Sequence, residues 1–234
     1  MLIYVCVGSG EIPYNEAAQR IRLDCLGKEK TMGVYLNGTQ PYTQYKKMVD
    51  NPYFVDKSMI LAEIIPMIGH TSDYLCITRP RRFGKTVMAN MIGAFLSKGA
   101  DSQDIFKRLA IADTGFYKPH INQHDVIHIS LNKLPRRCRS YDEYIERIEG
   151  ILVQDLKESY PHVDINEEEA VWDILTKIYT VDSSVRFIFV LDEWDFIFHC
   201  DFVTEQDKRE YIRFLSNLLK DNPYISMVYM TGIL

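Results

Sequence analysis

The spacing of hydrophobic positions changes repeatedly along the chain, and each change predicts a different kind of element. Short apolar runs predict strands, whereas apolar residues that recur every three or four positions predict helices with one buried face. Strands are predicted at Tyr74–Thr78 and at 125–131, 187–191 and 225–230. Helices are predicted at 60–65, Lys85–Leu96, 104–109, 141–156, 167–179 and 208–219. Ser58 is expected to cap the first of these helices, and Gly99 is expected to end the second.

The order of these elements predicts an α/β fold. The run at 187–191 is apolar at every position, which is typical of a strand buried on both faces of a parallel sheet. Long helical stretches separate the predicted strands, and such stretches serve as right-handed crossovers between parallel strands. We therefore predict a mostly parallel sheet flanked by helices.

The first thirty-one residues do not fit this alternation of strands and helices. Their pattern predicts a short strand, a glycine turn and a charged helix from Glu16 to Arg22. Met32 is a conceivable fresh start of the chain. We therefore predict an N-terminal extension over residues 1–31 and one domain over residues 32–234.

Composition and charge exclude several classes of protein. The chain has 234 residues, of which 47% are hydrophobic and 25% charged, as in ordinary globular domains and unlike disordered or collagenous chains. No apolar run reaches the roughly 18 residues that a membrane span needs. The net charge of -5 argues against a globally basic nucleic-acid binder. The five cysteines are far apart, which predicts reduced thiols in a cytoplasmic protein.

The octet Arg79-Pro80-Arg81-Arg82-Phe83-Gly84-Lys85-Thr86 lies between a predicted strand and a predicted helix, which is the context of a phosphate-binding loop. Gly84 allows the backbone to curl around phosphate oxygens. Lys85 supplies a charge for the β- and γ-phosphates, and Thr86 supplies a hydroxyl for Mg²⁺. The first glycine of the usual pattern is replaced by Arg79, so an ordinary basic loop remains the alternative.

A second pattern follows about a hundred residues later. The apolar strand at 187–191 ends at Asp192 and Glu193, as in a Walker B strand. In that role Asp192 would hold Mg²⁺ through water, and Glu193 would activate the attacking water. The alternative is a strand that ends in a solvated acidic turn.

The strand predicted at 225–230 is followed by Thr231. A polar residue at the end of the strand after Walker B is where P-loop ATPases place a sensor of the γ-phosphate. A threonine that opens a turn is the alternative.

Four motifs together resemble the bacterial predicted AAA-ATPase-like family. They are the segments YFVDKS at 53–58, TRPRRFGKT at 78–86, DEWD at 192–195 and TGI at 231–233. The arginine at position 79 is the family form of the loop. The resemblance covers residues 32–234.

The resemblance implies a P-loop ATPase core of the additional-strand type that uses ATP and Mg²⁺. By position, Gly84, Lys85 and Thr86 carry over as phosphate and Mg²⁺ contacts, and Asp192 and Glu193 as the Walker B pair. Asp195 matches a family acid, the segment at 53–58 is expected near the adenine, and Arg81 and Arg82 either surround the phosphates or face solvent.

Many members of the family continue into a nuclease-like domain, which we expect to be absent here. The chain ends before the fifth strand of the usual core. We therefore expect an incomplete core with an exposed edge at Tyr74–Thr78.

The function predicted is Mg²⁺-dependent ATP binding and hydrolysis, with Lys85 and Glu193 as catalytic residues. The alternative is a nucleotide-binding switch with little turnover. A protein partner or a homo-oligomer remains open, a membrane is not expected, and nucleic acid enters only by association with nuclease-bearing relatives.

Three weaker patterns are explained without a site. Gly8 and Gly10 form a partial dinucleotide fingerprint that fits a plain turn. The histidines at 120, 124 and 128 recur every four residues, but the last falls inside a predicted strand, which disfavours a metal face. The basic cluster at 133–139 fits a solvated loop better than a phosphate-binding surface.

Overall fold

A computed structural model describes the backbone of residues 4–6 and 11–13 and all residues at 32–70 and 74–233. The chain divides into two compact units, residues 1–31 and residues 32–234. In the first, strands β1 (Tyr4–Cys6) and β2 (Glu11–Pro13) pair antiparallel. The glycine turn and the charged helix predicted from Glu16 to Arg22 lie outside the described residues.

A parallel sheet of four strands forms the centre of the second unit. The strands are β3 (Tyr74–Thr78), β4 (Asp125–Ser130), β5 (Phe187–Asp192) and β6 (Ile225–Gly232). Their order across the sheet is β3-β6-β5-β4, and every pair is parallel. β6 therefore lies between β3 and β5, which is the arrangement of an additional-strand core. The predicted α/β class is confirmed.

Eight α-helices are described in the second unit. They are α1 (Gln40–Val49), α2 (Ile60–Ile64), α3 (Lys85–Leu96), α4 (Gln103–Phe106), α5 (Tyr117–His120), α6 (Tyr141–Ser159), α7 (Val171–Val181) and α8 (Glu205–Leu219). Short 3-10 helices cover Ile65–Met67, Ala110–Asp113 and Phe196–His199. The four predicted strands and the six helices predicted over residues 60–219 are present, most of them with shifts at their ends.

Local hydrogen bonds explain why two of the helices begin at other residues than the sequence predicts. α8 begins before the predicted position 208 because Thr204 and Asp207 form a capping box. α7 begins after the predicted position 167 because Asn166 turns the chain first. Its side-chain oxygen accepts the N–H of Glu168, and its carbonyl accepts the N–H of Glu169.

Two other expectations about helix ends are wrong. Ser58 does not cap α2, since its hydroxyl accepts the N–H of Ile111 at 3.1 Å. Gly99 is not the C-cap of α3, which is Ser97. A Cβ at position 99 would lie 1.8 Å from the carbonyl oxygen of Asn37, so glycine is required there by close packing.

The two faces of the sheet bury different clusters, which explains why β5 is apolar at every position. Ile188 and Val190 pack on the side of α3. Phe187, Phe189 and Leu191 pack on the side of α6, α7 and α8. Alternate side chains of a strand point to opposite faces, so each face receives apolar groups from β5.

The segment at 33–37 runs along the outer edge of β4. Leu36 forms an antiparallel bridge with Ile127. The buried carboxylate of Asp155, from α6, accepts the backbone N–H groups of residues 34, 35 and 36 at 2.9, 2.6 and 3.0 Å. The sequence analysis predicted no role for Asp155, because its partners lie about 120 residues earlier in the chain.

None of the described helices combines the length and the apolar character that crossing a bilayer requires.

Candidate functional site

The loop between β3 and α3 has the backbone geometry that a phosphate-binding turn needs. Gly84 is the N-cap of α3 with φ 78°, and Arg82 has φ 68°, both in the left-handed region. Glycine adopts this region without a steric penalty, whereas arginine does so at a cost. The loop therefore leads directly into the amino end of a twelve-residue helix, where the helix dipole favours an anion.

The ammonium group of Lys85 folds back over this loop. Nζ donates hydrogen bonds to the carbonyl oxygens of Arg79 at 2.8 Å and of Pro80 at 3.0 Å. The residue is only 7% exposed. A cation is thus held at the centre of the loop by two neutral acceptors, a setting in which an anionic oxygen is the stronger partner.

Asp192 and Thr231 lie opposite each other at the carboxyl ends of β5 and β6. The hydroxyl of Thr231 donates a hydrogen bond to Oδ1 of Asp192 and accepts the backbone N–H of Glu193 at 3.3 Å. Both side chains are buried. The hydroxyl that the sequence analysis predicted as a phosphate sensor is therefore bonded to the acidic pair itself.

Glu193 is held by a residue that the sequence analysis did not predict. Its Oε2 accepts a hydrogen bond of 2.7 Å from the side-chain amide of Asn132, which follows β4. The backbone of Glu193 is left-handed, with φ 54°. The only sequence signal for Asn132 is its position just after a strand, at the sheet edge where the other polar groups converge.

Asp195 is hydrogen-bonded to the backbone just after β6. Its Oδ2 accepts the N–H of Ile233 at 2.7 Å, and it is buried. A Cβ at Gly232 would lie 2.9 Å from Oδ1 of Asp195 and 2.7 Å from Nε1 of Trp194, so the chain passes closely there. Asp195 thus acts on the backbone next to Thr231.

A cavity of about 740 Å³ opens at this edge of the sheet. Its volume is within the range of small-molecule sites, roughly 300–1,000 Å³. The cavity is lined by Arg81, Arg82, Gly84, Lys85, Thr86, Val87, Asn132, Glu193, Asp195, Phe196, His199 and Ile233. Five of the predicted loop residues and both Glu193 and Asp195 therefore face one space. Arg79, Pro80, Phe83, Asp192 and Thr231 are not among its lining residues.

Comparison of the sequence with models of protein families identifies the family of this chain. The family described as Predicted AAA-ATPase matches the chain over residues 38–234. The chain belongs to this family. No curated protein and no solved structure matched the chain.

The residues of this predicted AAA-ATPase fit a nucleotide with Mg²⁺ in their chemistry. Mg²⁺ prefers oxygen ligands. Thr86 supplies a hydroxyl at the cavity wall, whereas the carboxylate of Asp192 is buried outside the cavity lining. Lys85, Arg81 and Arg82 supply three cations around the cavity, with Arg81 and Arg82 exposed at its wall. The cavity is large enough for a nucleotide, and its cations match the charge of a triphosphate.

The segment at 53–58 of the predicted AAA-ATPase is anchored away from this cavity lining. Asp56 accepts the N–H of Ser58 at 2.8 Å and of Ala110 at 2.7 Å. Burial raises the pKa of Asp56, but these hydrogen bonds outweigh it, and the pKa lies below its ordinary value. None of residues 53–58 lines the cavity, and Tyr53 is 89% exposed.

The three histidines of the predicted AAA-ATPase do not share one face. Nδ1 of His120 and Nε2 of His124 are 3.0 Å apart, whereas His128 lies inside β4. Burial lowers the pKa of both His124 and His128 to about 4. Within the described part of the chain, no three metal-binding side chains converge.

Proposed function

We propose that this predicted AAA-ATPase binds ATP with Mg²⁺ in the cavity between the Arg79–Thr86 loop and the ends of β5 and β6, and hydrolyses it. The observation that carries the proposal is that Lys85 and Glu193, 108 positions apart, line the same 740 Å³ cavity. A buried cation beside a carboxylate at the carboxyl edge of a parallel sheet suits phosphoryl transfer to water.

In this proposal, different side chains of the site bind the phosphates, hold Mg²⁺ and activate water. Lys85 exchanges its two carbonyl partners for phosphate oxygens and stabilises the charge that develops there. The hydroxyl of Thr86 would hold Mg²⁺, and the carboxylate of Asp192 would hold it through water. Glu193 orients the attacking water and accepts its proton.

Mg²⁺, when bound, neutralises the charge on the β- and γ-phosphate oxygens. Thr231 holds the carboxylate of Asp192 in one orientation through its hydrogen bond. Asp195 fixes the backbone after β6, so the position of Thr231 is itself defined.

Nucleotide binding is tested by thermal unfolding with and without Mg-ATP. At a hundred times the dissociation constant, the ligand adds about 2.7 kcal/mol to the free energy of unfolding. We expect this shift in the wild type and in the control Lys118→Ala, an exposed lysine outside the cavity lining, and its loss in Lys85→Ala. A folded wild type without a shift would contradict nucleotide binding.

Hydrolysis is tested separately by phosphate release. Loss of a general base costs about 10²–10⁴-fold in rate, so Glu193→Gln should bind Mg-ATP as the wild type does and release phosphate far more slowly. Equal rates for the wild type and Glu193→Gln would remove Glu193 from the mechanism.

A nucleotide-binding switch with little turnover is the second candidate. The favouring observation is that the charged ends of Lys85 and Glu193 are both engaged within the protein, by loop carbonyls and by Asn132. In this case Mg-ATP stabilises the protein, but phosphate release stays at the level of Glu193→Gln.

We assign this activity to a domain over residues 32–234 and place the protein in the cytoplasm of a bacterium. The cytoplasmic assignment rests on Cys76, Cys138 and Cys200, which are free thiols, as expected in a reducing compartment. The bacterial origin rests on the family resemblance alone.

A further inference from the structure

Two buried tyrosines reach the loops that carry Asn132 and Glu193 from the opposite face of the sheet. Tyr144 belongs to α6 and Tyr211 to α8, and both lie in the cluster on the side away from α3. They are 1% and 0% exposed, and their ring centroids are 6.4 Å apart.

Tyr144 fixes the residue before Asn132. Its hydroxyl donates a hydrogen bond of 2.8 Å to the carbonyl oxygen of Leu131. The N–H of Leu131 donates in turn to the carbonyl oxygen of Asp192 at 2.9 Å. The backbone that leads to Asn132 is therefore bonded at both its donor and its acceptor.

Tyr211 does the same for the residue after Glu193. Its hydroxyl donates a hydrogen bond of 2.7 Å to the carbonyl oxygen of Trp194, and the N–H of Trp194 donates to the carbonyl oxygen of Thr231 at 3.0 Å. The left-handed backbone of Glu193 persists only if its surroundings enforce it. The bonds made by Trp194 supply part of that enforcement.

Burial raises the pKa of both phenols, so both hydroxyls stay protonated and donate at neutral pH. Neither tyrosine lines the cavity. Their effect on the site is transmitted through the backbone of its two loops.

We infer that Tyr144 and Tyr211 are positioning residues, whose hydroxyl groups hold the loops of Asn132 and Glu193 in the register that aims the Glu193 carboxylate into the cavity. The inference rests on the proposed function, because it assigns these hydroxyls to the turnover of that same site. The two hydroxyls act on the site through the backbone of its loops, without any contact with the nucleotide.

The test removes only the hydroxyl groups, with Tyr144→Phe, Tyr211→Phe and the double variant. Tyr224→Phe is the matched control, since Tyr224 is also fully buried and donates a 2.7 Å hydrogen bond to a backbone carbonyl, that of Leu218. Tyr224 precedes the amino end of β6, away from the cavity. Any general effect of losing a buried hydroxyl appears in this control.

Phosphate release under saturating Mg-ATP is expected to fall between about tenfold and about a hundredfold in Tyr144→Phe and Tyr211→Phe, the loss typical of a small misplacement of a catalytic group. The dissociation constant for Mg-ATP should stay within about twofold of the wild type. A loss of turnover no larger than that of Tyr224→Phe would overturn the inference.

Amide hydrogen exchange tests the positioning without any turnover. Exchange over residues 131–133 should rise in Tyr144→Phe and over residues 192–196 in Tyr211→Phe, and neither region should change in Tyr224→Phe. Unchanged exchange in both regions would overturn the inference. A wild type that binds Mg-ATP without releasing phosphate would refute hydrolysis alone, and the exchange result would then still decide the role of the tyrosines.

Discussion

The side-chain amide of Asn132 donates a hydrogen bond of 2.7 Å to Oε2 of Glu193. The bond joins the residues that follow two neighbouring parallel strands, β4 and β5. It fixes the direction of the one carboxylate that our proposal requires to activate water. Loss of this bond should therefore affect the rate of hydrolysis more than the affinity for nucleotide.

We expect Asn132→Ala to lower phosphate release by roughly tenfold, because a carboxylate that samples several rotamers spends less time in line with the attacking water. Nucleotide affinity should stay within about twofold, because in our proposal the phosphates are bound by the Arg79–Thr86 loop and not by Asn132. The measurement is kcat from phosphate release together with Kd for Mg-ATP. Faster turnover in Asn132→Ala would show instead that the bond restrains Glu193, which is the behaviour of the switch.

Thr231→Val should destabilise the fold. The substitution is nearly isosteric, but it leaves the buried carboxylate of Asp192 without its hydroxyl donor. Hydrogen bonds to charged groups contribute about 1.5–3 kcal/mol, and urea unfolding should show a loss of that size. Thr180→Val is the control, since that exposed hydroxyl bonds only its own helix. An unchanged free energy of unfolding with weaker nucleotide binding would contradict this structural role and support the sensor role predicted for Thr231.

Two glycine substitutions should have opposite effects. Gly99→Ala places a Cβ 1.8 Å from a backbone oxygen and should destabilise the fold by about 3 kcal/mol, the upper range for overpacking. Gly150→Ala adds a Cβ in open space within α6 and should stabilise the fold by about 0.5–1 kcal/mol. Chemical denaturation measures both. Equal stability of the two variants would mean that the backbone near Asn37 shifts to make room for the new Cβ at little cost in free energy.

Stability should fall as the pH drops from about 6.5 towards 4. His128 is buried in β4, and burial lowers its pKa to about 4. The negative charge of Asp192 opposes this shift, and the positive charge of Lys133 adds to it. Between these two pH values the unfolded chain binds a proton that the folded chain does not, so the free energy of unfolding increases with pH. The slope is at most about 1.4 kcal/mol per pH unit for one group.

His128→Asn removes this titration and should reduce the slope of the unfolding free energy against pH between 6.5 and 4, while His124, whose pKa is also lowered to about 4, keeps its own contribution. The exposed His162 provides the control variant His162→Asn. Urea titrations at several pH values measure the slope. An equal slope in the wild type and His128→Asn would exclude His128 as its source.

Much of the fold could be predicted because its signals are local. Lys85–Leu96 is predicted with the bounds that the structure has, since nine of its twelve residues are buried and the loop before it ends in glycine. α1 is missing from the prediction for the opposite reason. Only Pro41 and Tyr45 of its ten residues are buried, so few apolar positions mark this helix in the sequence.

The loop and the acidic pair could also be predicted as parts of a candidate site, because each places its residues next to one another in the chain. The sequence by itself determined the four strands of the parallel sheet, six of the eight described helices, and the octet from Arg79 to Thr86 and the Asp192–Glu193 pair as candidates for the site. Only the tertiary structure shows that Asn132 donates a hydrogen bond to Glu193, 61 positions away, and that the hydroxyl of Thr231 donates one to Asp192, 39 positions away. These contacts depend on the order and register of parallel strands, which long crossovers bring together, and no local spacing encodes them.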